Sequence, residues 1–137
     1  MNKYHIFKFI VFLCILNLNA NDFEDYLKIE SDKIEFINKT NDINFSQNVS
    51  IDSNYLKILA STAIYDRENK IFSIFGEPST IESNNEDSKF DGVAEKILLF
   101  GDNKVHLIGN ASMKFENMSI SSNLIVFNPR TGKISSN

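Results

Sequence analysis

A chain of 137 residues with 18 acidic against 14 basic residues, a net charge of −4 and one cysteine is bounded before any motif is read. The acidic balance excludes nucleic acid as a ligand, because that binding is driven by clustered Lys and Arg. A lone cysteine excludes a disulfide framework, and the length fits one domain with a modest core.

Residues 1–20 have the layout of a secretory signal peptide and are expected to form a signal helix. Lys3 and Lys8 supply the positive start, Ile6 to Leu18 the apolar centre, and Ala20 the small residue before the cut. The apolar run of roughly ten to thirteen residues falls short of the about twenty that a bilayer span requires. Retention as an anchor is the alternative, since Leu18 is bulky for the position three before the cut. Cys14 follows bulky Leu13, which does not suit a lipidation signal. Cleavage after Ala20 leaves residues 21–137 as a single domain without cysteine. Because Lys3 and Lys8 leave with the leader, twelve basic residues then face eighteen acidic ones.

Four copies of one pattern follow. In the first, Leu27, Ile29 and Ser31 alternate and end on a small residue, and Asp32 leads to the apolar–aromatic pair Ile34/Phe36. The turn Asn38–Asp42 comes next, and Ile43 restarts the alternation. The second copy runs Leu56, Ile58, Ala60, Ser61, the pair Ala63/Tyr65, the turn Asp66–Lys70, and Ile71. The third runs Phe90, Gly92, Ala94, Glu95, then Leu98/Phe100 with one additional residue, the turn Gly101–Lys104, and Val105. The fourth runs Met118, Ile120, Ser122, Asn123, Ile125/Phe127, the turn Asn128–Gly132, and Ile134. Self-similarity at this spacing signals stacked copies of one supersecondary unit.

Strict alternation identifies strands with one dry face. The polar clusters between them, with Pro129, Gly101 and Gly132, suit hairpin turns. Within the first copy, Leu27, Ile29 and Ser31 share one phase, whereas Ile34 and Phe36 share the other. A one-residue phase change inside a strand is the mark of a bulge or bend, and bends carry a strand from one sheet to another. Small residues at Ser31, Ala60, Ala94 and Ser122 fit a crowded corner. Gln47-Asn48, Gly76-Glu77 and Gly109-Asn110 mark the matching bends on the returning strands. The expected product is all-β: two facing antiparallel sheets around an apolar interior open at its ends.

These residues resemble the periplasmic lipopolysaccharide-transport proteins of the LptA/OstA family. That family repeats a small residue, an acid, an aliphatic and an aromatic residue, a polar turn, and a strand ending in Gly-Asn-Val. Here the first part reads Ser31-Asp32-Lys33-Ile34-Glu35-Phe36, Ala60-Ser61-Thr62-Ala63-Ile64-Tyr65 and Ser122-Asn123-Leu124-Ile125-Val126-Phe127. Gly109-Asn110-Ala111 and Gln47-Asn48-Val49 echo the second part, while Gly76-Glu77-Pro78 departs from it. The resemblance implies an antiparallel β-jellyroll over residues 21–137, with a groove that shields the acyl chains of lipid A. It also implies a periplasmic location and edge-to-edge assembly, head to tail between copies. The implied bridge joins an inner-membrane anchored LptC-like protein to an outer-membrane LptD-like translocon. A membrane-anchored LptC-like role and a surface β-repeat protein without lipid ligand are the alternatives.

The inward apolar residues are Ile34, Phe36, Phe45, Ile58, Tyr65, Ile74, Phe100, Leu107, Met113, Phe115 and Phe127. Each either packs as core or contacts lipid. Catalysis has little to stand on: His106 is the one histidine outside the leader and alternates away from Val105 and Leu107, and no Gly-x-Ser-x-Gly context exists. No cofactor is implied, and Glu86, Asp87 and Asp91 lack the spacing of a calcium loop. Lys39, Arg67, Lys70, Lys104, Arg130 and Lys133 gather at hairpin turns. If those turns share a rim they meet lipid phosphates; otherwise they serve solubility.

Overall fold

The computed structural model describes residues 27–84, 86 and 89–136, so the leader, its cleavage point and residues 21–26 lie outside the described residues. The strands are β1 (Leu27–Glu30), β2 (Lys33–Ile37), β3 (Asp42–Ser53), β4 (Leu56–Asp66), β5 (Ile71–Ser83), β6 (Phe90–Phe100), β7 (Val105–Phe115), β8 (Met118–Asn128) and β9 (Lys133–Ser136). All pairings are antiparallel between chain neighbours, except that β1 and β2 both pair with β3. Every strand from β3 to β8 is long enough to serve in two layers.

The division falls at the bends. Layer A holds β1, the second half of β3, the first half of β4, and so on to the first half of β8. Layer B holds β2, the remaining halves and β9. The inner faces meet: the Phe90 ring of layer A lies 4.6 Å from the Phe127 ring of layer B, and Phe115 lies 5.9 Å from Phe127. A Cβ built on Gly92 would stand 3.3 Å from Leu107 Cδ1 on the opposite layer, so that glycine leaves room for its partner. The jellyroll architecture expected from the repeat is therefore the observed one.

The bends arise where residues are inserted on one strand only. Ser46 pairs with Thr62 and Val49 with Ala60, so Gln47 and Asn48 oppose Ser61 alone. Gly109 and Asn110 likewise oppose Asn123 between the Ile108 and Ala111 pairings. A bulge of this kind increases local twist and turns the strand. Gln47, Asn48, Gly109 and Asn110 all take positive φ (68°, 55°, 84° and 44°), a region that Gly and Asn tolerate best. At two of the four corners the polar residue after the small one is an anchor: Asp32 accepts from Asn48 Nδ2 at 2.6 Å, and Glu95 accepts from Asn110 Nδ2 at 2.6 Å. Ser31 and Ala94 beside them are buried, leaving no space for a larger side chain.

Two sequence expectations are corrected by the register. In three copies the inward pair stands three and five residues after the small corner residue: Ile34/Phe36 after Ser31, Ala63/Tyr65 after Ala60, and Ile125/Phe127 after Ser122. Ala94 obeys the same spacing, so its pair is Ile97/Leu99, both buried, and there is no additional residue. Phe100 pairs with Ile71 on the outer face, where its ring centre lies 4.7 Å from that of His106 with the planes tilted by 55°. The restart of the second copy is likewise Phe72, which pairs with Tyr65, and not Ile71. An apolar run such as Ile97-Leu98-Leu99-Phe100 has no internal alternation, so only pairing with its neighbours selects the inward phase.

This frame predicts unequal costs for adjacent truncations. Leu99→Ala should destabilise by about 2–5 kcal/mol, and Phe100→Ala by less than about 1 kcal/mol. Urea unfolding of both variants checks it; a larger cost at Phe100 would show the register to be displaced by one.

Candidate functional site

The interior between the layers runs across the strands, from the β1/β2 edge to the β8/β9 edge. Its middle is filled by the protein's own side chains. Tyr65 stacks on Phe72 at 4.3 Å, and Phe72 lies 6.3 Å from Phe45. Of the expected inward residues, Phe45, Ile58, Tyr65, Ile74, Leu107, Met113 and Phe127 are buried in this core. Ile34 and Phe115 are half-buried against it. Phe36 faces inward, because it pairs with buried Ile43, yet it remains 45% exposed. Phe100 alone points outward.

Exposure on the inner face is therefore confined to the two ends. Phe36 and Ile34 stand at the β1/β2 end. At the other end β9 covers only the layer-B half of β8, pairing Ile134 with Phe127, and leaves the Met118–Ser122 half without a neighbour on its far side among the described residues. Met118 pairs with inward Phe115 and is 54% exposed, while Ile120 and Ile134 are half-buried. Chemically these ends offer apolar side chains to a hydrocarbon and no reactive group. Sequence reasoning passed over Met118, Ile120 and Ile134 as contact residues, and Phe72, Ile97 and Leu99 as core. The constant spacing from the small corner residue identifies Ile97 and Leu99.

The polar surroundings are asymmetric. Because each copy places its polar turn at the end of layer B, the turns after β2, β4, β6 and β8 share one rim. That rim carries Lys39, Arg67, Lys70, Lys104, Arg130 and Lys133 against four acids, Asp42, Asp66, Glu68 and Asp102. Several turns are pinned locally: Asp66 accepts from Asn69 Nδ2 at 2.7 Å and from the Asn69 and Glu68 amides, which holds its carboxyl below the usual carboxylate range. The neighbouring rim, at the layer-A ends of the strands, bears a cleft of about 670 Å³ lined by Glu82, Glu86, Asp91 and Glu116 with Lys89 and Lys114. Among the described residues no group of three or more His, Cys, Asp or Glu side chains is placed to hold a metal ion.

Residues 28–133 match the protein family described as LptA/(LptD N-terminal domain) LPS transport protein. Among solved structures, the chain is similar to LptH of Pseudomonas aeruginosa, described as the LptA-homologous periplasmic component of the conserved lipopolysaccharide transport device. The TM-score is 0.73, with 18% identity over 85% of each chain. A likeness at that identity concerns the fold, which is the same bent two-layer arrangement. No curated protein sequence matches the chain.

His106 provides a local check on the outer face. Burial beside Phe100 pushes its pKa below the ordinary 6.5, and the Lys104 charge adds to the shift while Asp102 opposes it. The folded state therefore disfavours the imidazolium, so this contribution to stability is present above pH 6.5 and is lost as pH falls through the lower folded value. NMR titration should place His106 below 6.5, and Phe100→Ala should raise it; a value at or above 6.5 contradicts the burial of the imidazole beside Phe100.

Proposed function

The chain belongs to the LptA/LptD N-terminal domain family of lipopolysaccharide transport proteins, and we propose that it acts as a periplasmic carrier of lipopolysaccharide. The family is one of transport proteins and not of enzymes. The observation that carries the reading is the pair of inward apolar residues left exposed at opposite ends of a packed interior, Phe36 and Met118. In this reading the acyl chains of lipid A enter at those ends and part the layers, replacing contacts such as Phe90–Phe127 with lipid.

Magnitudes favour such an exchange. Each methylene removed from water is worth about 0.8 kcal/mol, so ten of them recover roughly 8 kcal/mol. That is comparable to the whole stability of a small domain, about 5–15 kcal/mol. Hydrocarbon can therefore compete with the protein's own packing without a fuel molecule. The inward residues Ile34, Phe36, Phe45, Ile58, Tyr65, Ile74, Leu107, Met113, Phe115 and Phe127 become lipid contacts in the opened state. Phe100, on the outer face, does not.

The open edges support a role in a bridge. β1/β2 and the first half of β8 each present unpaired backbone groups among the described residues, the situation in which a partner strand adds to a sheet. Partners of the same fold, an inner-membrane anchored LptC-like protein and an outer-membrane LptD-like translocon, would join there, as would a second copy head to tail. An anchored role for this chain itself turns on residues 1–20.

Three outcomes follow. A photo-crosslinker at Phe36 or Met118 should capture lipopolysaccharide in cells, whereas one at Leu59, exposed on the outside of layer A, should not; capture at neither end would remove the carrier reading. Phe36→Asp should weaken lipopolysaccharide binding about tenfold, because a carboxylate in the path of a tail must be desolvated, while the unfolding midpoint changes little. Mass spectrometry of the cellular protein should find Asn21 as the first residue; a retained Met1 would favour the anchored role.

A further inference from the structure

The two outer faces of the fold are unlike. On layer A, one row across the strands reads Lys28–Asp52–Lys57–Glu82–Asp91–Lys114 in register, an ordinary solvated surface. On layer B the face is polar over β2–β4, where Lys33, Glu35, Asn44, Ser46 and Thr62 stand outward, and apolar from β5 to β8. Phe75, Lys96, Ile108 and Leu124 stand in one register row, and Leu98, His106 and Val126 in the next, with Phe100 beside the rim. Phe75 is 36% exposed and the others are half-buried, as side chains on an uncovered sheet face shield one another. None of the described strands packs on this face.

Charge identifies the occupant. From β5 to β9 the outward positions of layer B hold Lys96 and Lys133 and no acid. Lys96 reaches across the face with its ammonium 5.5 Å from the Phe75 ring centre, so its stem covers apolar surface while its head stays available. Lys104 is exposed on the adjoining turn, and the rim beyond it carries six bases against four acids, whereas the rim at the layer-A ends of the strands bears the acidic cleft. A second copy is a poor match, because a two-fold contact mates the face with itself and brings cations to a surface without acids. A bilayer of anionic lipid supplies both fatty material for Phe75, Leu98 and Phe100 and negative headgroups for the lysines. With the acidic cleft at the layer-A ends and the basic rim beside it at the layer-B ends, the charge gradient runs from one layer to the other and turns layer B toward such a surface before contact.

We propose that the outer face of layer B, with the adjoining basic rim, docks the protein on an anionic membrane surface. This surface is distinct from the interior that would carry cargo, and the proposal stands whether or not cargo binds there. The expected cycle is weak and reversible, since a sheet face lies on headgroups and does not span the bilayer.

The test is flotation of the full chain with phosphatidylethanolamine–phosphatidylglycerol vesicles free of lipopolysaccharide, against phosphatidylcholine vesicles. All variants share residues 1–26, so differences between them report the face. Binding should require the anionic lipid and weaken with salt. It should fall about tenfold in Lys96→Glu/Lys104→Glu and comparably in Leu98→Ser/Phe100→Ser, but not in Leu59→Ser on layer A. Circular dichroism confirms that each variant is folded, and the charge-reversed pair, which leaves the apolar residues intact, serves if the serine pair is not. Equal flotation of all variants, or equal binding to neutral vesicles, overturns the proposal. So does loss of a concentration-dependent dimer, or of an acidic protein partner, in the same variants without any vesicle binding.

Discussion

Each long strand turns a corner midway, β4, β5, β6 and β8 by reversing their inward phase and β3 and β7 by taking up an extra residue that keeps it, and the rest of the molecule depends on that corner. Straight strands without the corner would build a single sheet with nothing to cover its apolar face. The inserted residues at Gln47-Asn48, Gly76-Glu77-Pro78 and Gly109-Asn110 allow the chain to turn a corner and present its alternate residues to the same interior. The turn is held from the neighbouring strand by Asp32 and Glu95, whose carboxylates grip the corner asparagines. Charge-assisted bonds of this type are stronger than neutral ones, which suits a backbone held at positive φ. Serine and alanine at the corners follow from the same crowding.

A consequence is that one sheet covers itself. Aromatic residues from both layers interleave, and the middle of the interior is closed by Tyr65, Phe72, Phe90 and Phe127. Closure is incomplete at the first and last strands because a folded sheet, unlike a barrel, has two edges. Apolar inward side chains are exposed there for a topological reason: no further strand exists among the described residues to shield them. The features that attract a hydrocarbon tail and those that attract a partner strand thus sit at the same two places. In the proposed carrier, cargo entry and assembly would therefore be linked by geometry.

The hairpin pattern has a second effect, on the surface. Successive turns fall at alternating strand ends, so every turn of one kind reaches the same rim. Lysines and arginines scattered over ninety or so residues of sequence become one basic rim, and the acids of the intervening turns become the other. The outer face of layer B adds an uncovered apolar surface beside the basic rim. The two faces of layer B thus both present apolar groups, one to the interior and one, over β5–β8, to the outside.

The amino-acid sequence by itself determined the class of fold, the positions of the corners and the hairpin turns, because alternation, phase change and turn residues are local signals. Ser31, Ala60, Ala94 and Ser122 could each be read without a neighbour. What only the tertiary structure decided was the phase of continuous apolar runs, where Ile97 and Leu99 turn inward and Phe100 outward, since register across strands chooses between two equally apolar faces. It also decided which inward residues remain exposed. Phe36 and Phe45 look alike in sequence, yet one lies at a sheet edge and the other beneath two neighbouring strands, and burial depends on what stands alongside.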